Sequence, residues 1–150
     1  MIPLEQKIIY SEQLYVAVKH TEIITVLGSC VAVCLYDKKN KISGMNHYLL
    51  PLWNGDGLKS LKYGNISTER LIEAMFAVGA DKRHLEAKIF GGAQINISRD
   101  FSVAPHNIQI ALDTLRQHRI PCSVQDTGGS QGRKILFSNE DGSVYVKYSK

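Results

Sequence analysis

Three side chains in the first third of the chain have the types and spacing for thiol acyl-transfer chemistry: Cys30, His47 and Thr25. A thiol becomes a nucleophile when a base takes its proton and when rigid structure holds it in place. Cys30 follows Gly28-Ser29, where one apolar run ends at Leu27 and another begins at Val31. His47 is the candidate base. A histidine among Met45, Tyr48, Leu49 and Leu50 needs a polar partner. A thiolate–imidazolium pair would supply one and would lower the thiol pKa. A third group often orients the imidazole of such a pair. Thr25, Thr21, Asn46 and Ser29 are the candidates, and Thr25 is preferred because its strand leads straight into the cysteine turn. Backbone amides from Gly28 through Ser29 to Val31 could form an oxyanion hole. These residues support acyl transfer without naming a substrate.

The elements that must position them follow from periodicity. Lys7–Tyr10, Gln13–Val18 and Ile23–Leu27 read as strands, and Val31–Tyr36 as a strand buried on both faces. Asp37–Lys41 is a turn, and Ile42–Leu50 returns as the second arm of a hairpin. A turn centred on Lys38-Lys39 would set His47 opposite Cys30 on one face, whereas a one-residue slip would separate them. Ser67 is the expected N-cap of a first helix carrying Leu71, Ile72, Met75 and Phe76, with Gly79 ending it. Leu85–Phe90 is a strand, and 94–102 has no clear pattern. Pro105 opens a second helix, with Ile108, Ala111, Leu112 and Leu115 on its buried face. Ser123–Gln125 is a strand, 126–133 a turn-rich loop, and Lys134–Phe137 with Val144–Tyr148 a closing hairpin. The order of elements predicts an α+β fold with packed, largely antiparallel β-sheets flanked by two main helices.

Other candidates divide into structural and substrate-facing groups. Cys34, inside an apolar run, reads as structural, and so does Cys122. Cys30 and Cys34 on one strand stand about 13 Å apart, too far for one tetrahedral zinc, so no metal and no cofactor are expected. The loop from Pro51 to Asn65 carries Trp53 and reads equally as a substrate-facing lid or as a connector with one anchor. Gly91-Gly92 after a strand permits close backbone approach, and these two with Trp53 are the candidate substrate contacts. His20, His84, His106 and His118 read as surface residues.

Composition narrows the class further. A chain of 150 residues with 44% apolar and 21% charged residues is expected to be one globular domain, residues 1–150. An odd count of three cysteines argues against a disulfide framework. No apolar run has the length for membrane insertion, and Met1 to Gln6 lacks a signal-peptide layout, so a cytoplasmic location is expected. The net charge of +4 is scattered rather than clustered, which disfavours nucleic acid as a partner.

Leu27-Gly28-Ser29-Cys30-Val31-Ala32-Val33-Cys34-Leu35-Tyr36-Asp37, followed by Gly44-Met45-Asn46-His47 and Leu50-Pro51, resembles the CheD family of chemoreceptor glutamine deamidases. The resemblance continues through Leu85 to Ala93, Asn107-Ile108, Asp126-Thr127-Gly128-Gly129 and Gly132-Arg133. It implies hydrolysis of selected glutamine side chains to glutamate in methyl-accepting chemotaxis receptors. Cys30 would attack the amide to form a thioester, and His47 would act as base. Thr25 is the nearest match to the family's threonine on the preceding strand. The implied partners are the cytoplasmic helices of those receptors and, in some bacteria, the CheC phosphatase. The implied fold packs β-sheets together with helices outside. The alternative is a non-catalytic adaptor of the same fold, binding receptors or a CheC-like phosphatase. A general cysteine peptidase fits least, because the sequence shows no second lobe for a peptide cleft.

Overall fold

The computed structural model describes residues 4–95 and 103–149. Among the described residues, nine strands form two sheets. β1 (Glu5–Ile8), β3 (Thr21–Leu27), β8 (Arg133–Ser138) and β9 (Val144–Tyr148) lie side by side in the order β1-β3-β8-β9. β2 (Gln13–Ala17), β5 (Ile42–His47), β4 (Val31–Asp37), β6 (Leu85–Gly91) and β7 (Cys122–Thr127) form the second sheet in the order β2-β5-β4-β6-β7. Pairing is antiparallel except at β1–β3 and β6–β7. Helices α1 (Gly64–Ala77) and α2 (Val103–Gln117) cover the outer face of the five-stranded sheet. The result is the expected α+β architecture, with both helices on one side.

β4 shows why the layers form. All seven of its residues are buried. Val31, Val33 and Leu35 pack with Leu71, Ile72, Met75 and Leu115 of the helices. Ala32, Cys34 and Tyr36 point the other way and pack with Ile23, Leu27, Ile135 and Phe137 of the four-stranded sheet. A strand covered on both faces reads as a continuous apolar run, as this one does.

The β4–β5 hairpin differs from the expected register by two residues. Cys34 pairs with Met45 and Val31 bridges Tyr48, so the extended register sets Cys30 opposite Leu49. Asp37 causes the shift. Its Oδ1 accepts the amides of Lys39 (3.0 Å) and Asn40 (2.9 Å), closing a turn over residues 38–41 with Lys41 at φ 55°. The turn is therefore centred one residue later than expected. A shift of two preserves the side-chain face, so Cys30 and His47 still share a face, as diagonal rather than opposite neighbours.

α1 begins three residues before the expected cap. Gly64 and Asn65 donate their amides to the carbonyls of Leu50 (2.7 Å) and Pro51 (3.1 Å). Main-chain acceptors thus satisfy the first turn, and no side-chain cap forms. Ser67 is instead buried inside the helix. Glu69 meets His118 at 2.8 Å, tying α1 to the end of α2. α2 starts at Val103, so Pro105 falls in its first turn, where a missing amide costs little. The unpatterned segment at 94–102 lies mostly outside the described residues.

Candidate active site

The cysteine turn is built from main-chain bonds. Gly28 and Cys30 offer their carbonyls to the amides of Ala93 (3.0 Å) and Gly92 (2.9 Å), just beyond the end of β6. Gly91 lies at φ 106°, and a Cβ there would overlap the Cys30 carbonyl oxygen. Gly92 would meet Ile108 Cδ1 at 2.6 Å if it carried one. Gly91 and Gly92 are buried. Their lack of side chains lets the end of β6 approach the Cys30 backbone.

Behind Gly91 stands a second brace. Gly128 donates to the Gly91 carbonyl (2.9 Å), and Gln94 donates to Gly129 (2.9 Å). Arg133, only 5% exposed, fixes that loop. Its Nε meets Asp126 Oδ1 at 3.2 Å, and its terminal nitrogens reach the carbonyls of Gly128 (2.9 Å) and Gln131 (3.3 Å). The Tyr148 ring lies 5.5 Å from the guanidinium carbon, and its hydroxyl donates to Asp126.

His47 ends β5 and is 5% exposed. The β4–β5 ladder opens beside it. The Val33 amide goes to Asn46 Oδ1 (2.7 Å), so the Asn46 side chain takes the place of a ladder carbonyl. The imidazole points across the sandwich, and its Nδ1 lies 2.8 Å from Thr25 Oγ1 on β3. Thr25 Oγ1 also lies 2.8 Å from the carbonyl of Ile9. That carbonyl can only accept, so the hydroxyl proton goes to Ile9 and Oγ1 accepts from Nδ1–H. The tautomer follows: Nδ1 holds the proton, and Nε2 keeps its lone pair.

Electrostatics distinguish this site from the expected ion pair. Burial pushes the His47 imidazole down to about 4. Burial also pushes the Cys30 thiol up, against a smaller pull from its own backbone amide. The resting pair is a neutral thiol and a neutral imidazole. Each charged form is opposed by desolvation.

The Val31 amide donates to Tyr48 (3.2 Å) and is spent in the ladder. Trp53 is tied within its own loop: its amide donates to Asn65 Oδ1 (3.0 Å) and its indole to the Asp56 carbonyl (3.0 Å), with Lys59 Nζ 5.7 Å from the ring. Cys34 is fully buried between the sheets, and burial drives its thiol far up, as befits a structural cysteine. No cluster of three metal-ligating side chains occurs among the described residues.

Two contributors were not legible in the sequence. The Ile9 carbonyl has no side-chain signature. Asn107 is fully buried, and its Nδ2 donates to the carbonyls of Ser29 (3.2 Å) and Leu49 (2.9 Å). Ala104, Asn107, Ala111 and Thr114 recur at helical spacing, a signal that would have put Asn107 on the buried face.

Comparison with known proteins identifies the family. The family model described as CheD chemotactic sensory transduction matches residues 49–148. A protein of Sulfurimonas denitrificans named "Probable chemoreceptor glutamine deamidase CheD" is 56% identical over 147 residues, covering 96% of this chain and 94% of the relative. One of the same name from Trichlorobacter lovleyi is 44% identical, covering 99% of this chain and 93% of the relative. An Anaeromyxobacter dehalogenans protein named "Probable chemoreceptor glutamine deamidase CheD 1" is 40% identical over 95% of this chain and 84% of its own length. With a family match over most of the chain and relatives similar almost end to end, the protein belongs to the CheD family.

Proposed function

We propose that this chain is a single-domain protein-glutamine deamidase. It hydrolyses selected glutamine side chains of methyl-accepting chemotaxis receptors to glutamate, acting on their cytoplasmic helices. The names of its relatives support the reaction and the receptor substrate. The observation that carries the mechanism is the chain of bonds from Ile9 through Thr25 to His47, which leaves Nε2 basic on the face shared with Cys30.

The steps follow from those protonation states. As the Cys30 sulfur bonds to the amide carbon, its proton passes to His47 Nε2. Negative charge gathers on the former carbonyl oxygen, near the backbone amides of the Gly28-Ser29 turn. The carbon–nitrogen bond then breaks, and Nε2 returns its proton to the leaving nitrogen, releasing ammonia and a thioester. His47 next takes a proton from water as the water oxygen attacks the thioester. The carbon–sulfur bond breaks, the thiol regains its proton, and glutamate remains. Thr25 holds the imidazole in the required tautomer throughout.

Intact-mass analysis of receptor fragments tests the proposal. Wild-type protein should add about one dalton per glutamine, an amide NH2 replaced by OH, with matching ammonia release. Cys30→Ala and His47→Ala should abolish both while their circular dichroism stays native. Full activity in Cys30→Ala would sink the mechanism. Binding of receptor fragments without any mass change would sink the enzyme itself.

A further inference from the structure

We propose that Asn107 is a positioning residue for the Cys30–His47 pair, its carboxamide tying the segment before the nucleophile and the segment after the base to the start of α2. The inference rests on the pairing proposed above.

The hairpin that carries the two groups ends early. Its last rung is the bridge between Val31 and Tyr48, one residue short of Cys30. Beyond that rung nothing in the ladder holds the cysteine turn at a set distance from β5. Asn107 supplies the missing tie. One carboxamide nitrogen carries two protons, and here it meets the carbonyl of Ser29 (3.2 Å) and that of Leu49 (2.9 Å). Ser29 directly precedes the nucleophile, and Leu49 lies two residues past the base. No other donor among the described residues reaches either carbonyl.

Two further observations indicate that this amide does more than fill space. Its Oδ1 is buried with no partner among the described residues. Such an orphan acceptor is unfavourable, and an apolar side chain of the same size would avoid it. The donor half of the group is therefore what the fold retains. In addition, the Tyr48 hydroxyl donates to the Asn107 main-chain carbonyl at 2.5 Å, so the residue just past β5 grips the same helical residue a second time. Nucleophile, base and helix converge on one side chain.

The test compares wild type, Asn107→Leu, Asn107→Asp, His47→Ala and Thr114→Val. Thr114 is buried on the same helix and bonds only within it (2.8 Å to Ile110), so its variant reports general loosening of α2. Two readouts are taken: kcat and KM on receptor fragments, and the iodoacetamide alkylation rate of Cys30 located by peptide mapping. Asn107→Leu should lose about 10- to 100-fold in kcat, with KM within about twofold, since small misplacements cost that much. Its alkylation rate should shift toward that of His47→Ala, while Thr114→Val stays near wild type. Asn107→Asp keeps the shape and regains one donor when protonated, so its rate relative to wild type should fall as pH rises. This variant decides the matter if the leucine variant does not fold.

Losses within twofold in Asn107→Leu, equal losses in Thr114→Val, or a pH-independent ratio for Asn107→Asp would each overturn the proposal. If His47→Ala alkylates at the wild-type rate, the pairing itself fails, and there is no pair to position. If His47→Ala slows while both Asn107 variants do not, the positioning role alone fails.

Discussion

The hydroxyl of Thr25 sits 2.8 Å from Nδ1 of His47, although the two residues belong to different sheets. His47 is thus held by a strand that does not pair with its own. Thr25 must accept there, because its proton is committed to Ile9. Thr25→Val keeps the shape but removes the acceptor, freeing the ring to rotate or to change tautomer. We expect kcat to fall about 100-fold with KM little changed, while Thr25→Ser retains most activity. Steady-state ammonia release from receptor fragments checks both variants, and a fully active valine variant would remove Thr25 from the mechanism.

With His47 held down to about 4, the acid limb of kcat/KM should lie near that pH rather than near the usual histidine value of about 6.5. Initial rates from pH 4 to 8, on protein shown by circular dichroism to be folded, locate the limb.

The same shift affects stability. Folding disfavours the charged imidazole, so between about 6.5 and 4 the unfolded chain takes up a proton that the folded chain refuses. His47 therefore leaves stability intact above about pH 6.5 and withdraws it as pH falls toward 4, by up to about 3 kcal/mol. Urea unfolding at pH 5 and pH 7 should show this loss in wild type and a shallower one in His47→Gln.

Two glycines with nearly the same backbone separate strain from collision. Gly79 has φ 102° with open space around a notional Cβ, and Gly91 has φ 106° with the Cys30 carbonyl in the way. Gly79→Ala should cost about 1 kcal/mol, the price of an αL side chain. Gly91→Ala should cost about 3 kcal/mol or more and should also displace the nucleophile. Guanidinium unfolding gives the first comparison and Cys30 alkylation the second.

Asp37 gives a further pH-dependent prediction. Burial raises its carboxyl pKa, but the amides of Asn40, Asp81 and Lys39 and the side chain of Asn40 outweigh burial and hold it below the usual range. That stability is present above about pH 4 and is lost as pH falls through the lower folded value. Asp37→Ala should cost about 2 kcal/mol at pH 7. Because the same turn sets the hairpin register, activity should fall more than stability alone accounts for.

The placement of Cys30 and His47 on one face was largely readable because it follows from local pattern. Gly28-Ser29 before Cys30 marks a turn, and the period-2 pattern of the hairpin puts thiol and imidazole on one face whether the register is offset by zero or by two. The register itself was hidden, since it depends on which amides Asp37 captures. Ser67 was misread as a cap because nothing local says that the carbonyls of Leu50 and Pro51 will meet the first turn of α1. The neutral state of Cys30 and His47 was also invisible. It arises from burial by the four-stranded sheet, a tertiary effect that no window of sequence contains. Gly91 and Gly92 signalled close backbone approach, but only the fold shows that the approaching backbone belongs to the nucleophile.

The two sheets meet mainly through aliphatic and aromatic side chains, contacts that resist separation but oppose sideways slip less strongly. Polar pins also cross the gap, among them Thr25 to His47 near one end of β5, the Tyr36 hydroxyl to the Asn139 carbonyl (2.9 Å) near the far end of β4, and Arg133 of β8 to Asp126 of β7 (3.2 Å). Together they fix the sandwich against shear. A glide of one strand repeat would break the first pin and release Nδ1 of His47. In this protein, lateral alignment of the layers and readiness of the imidazole are one mechanical variable.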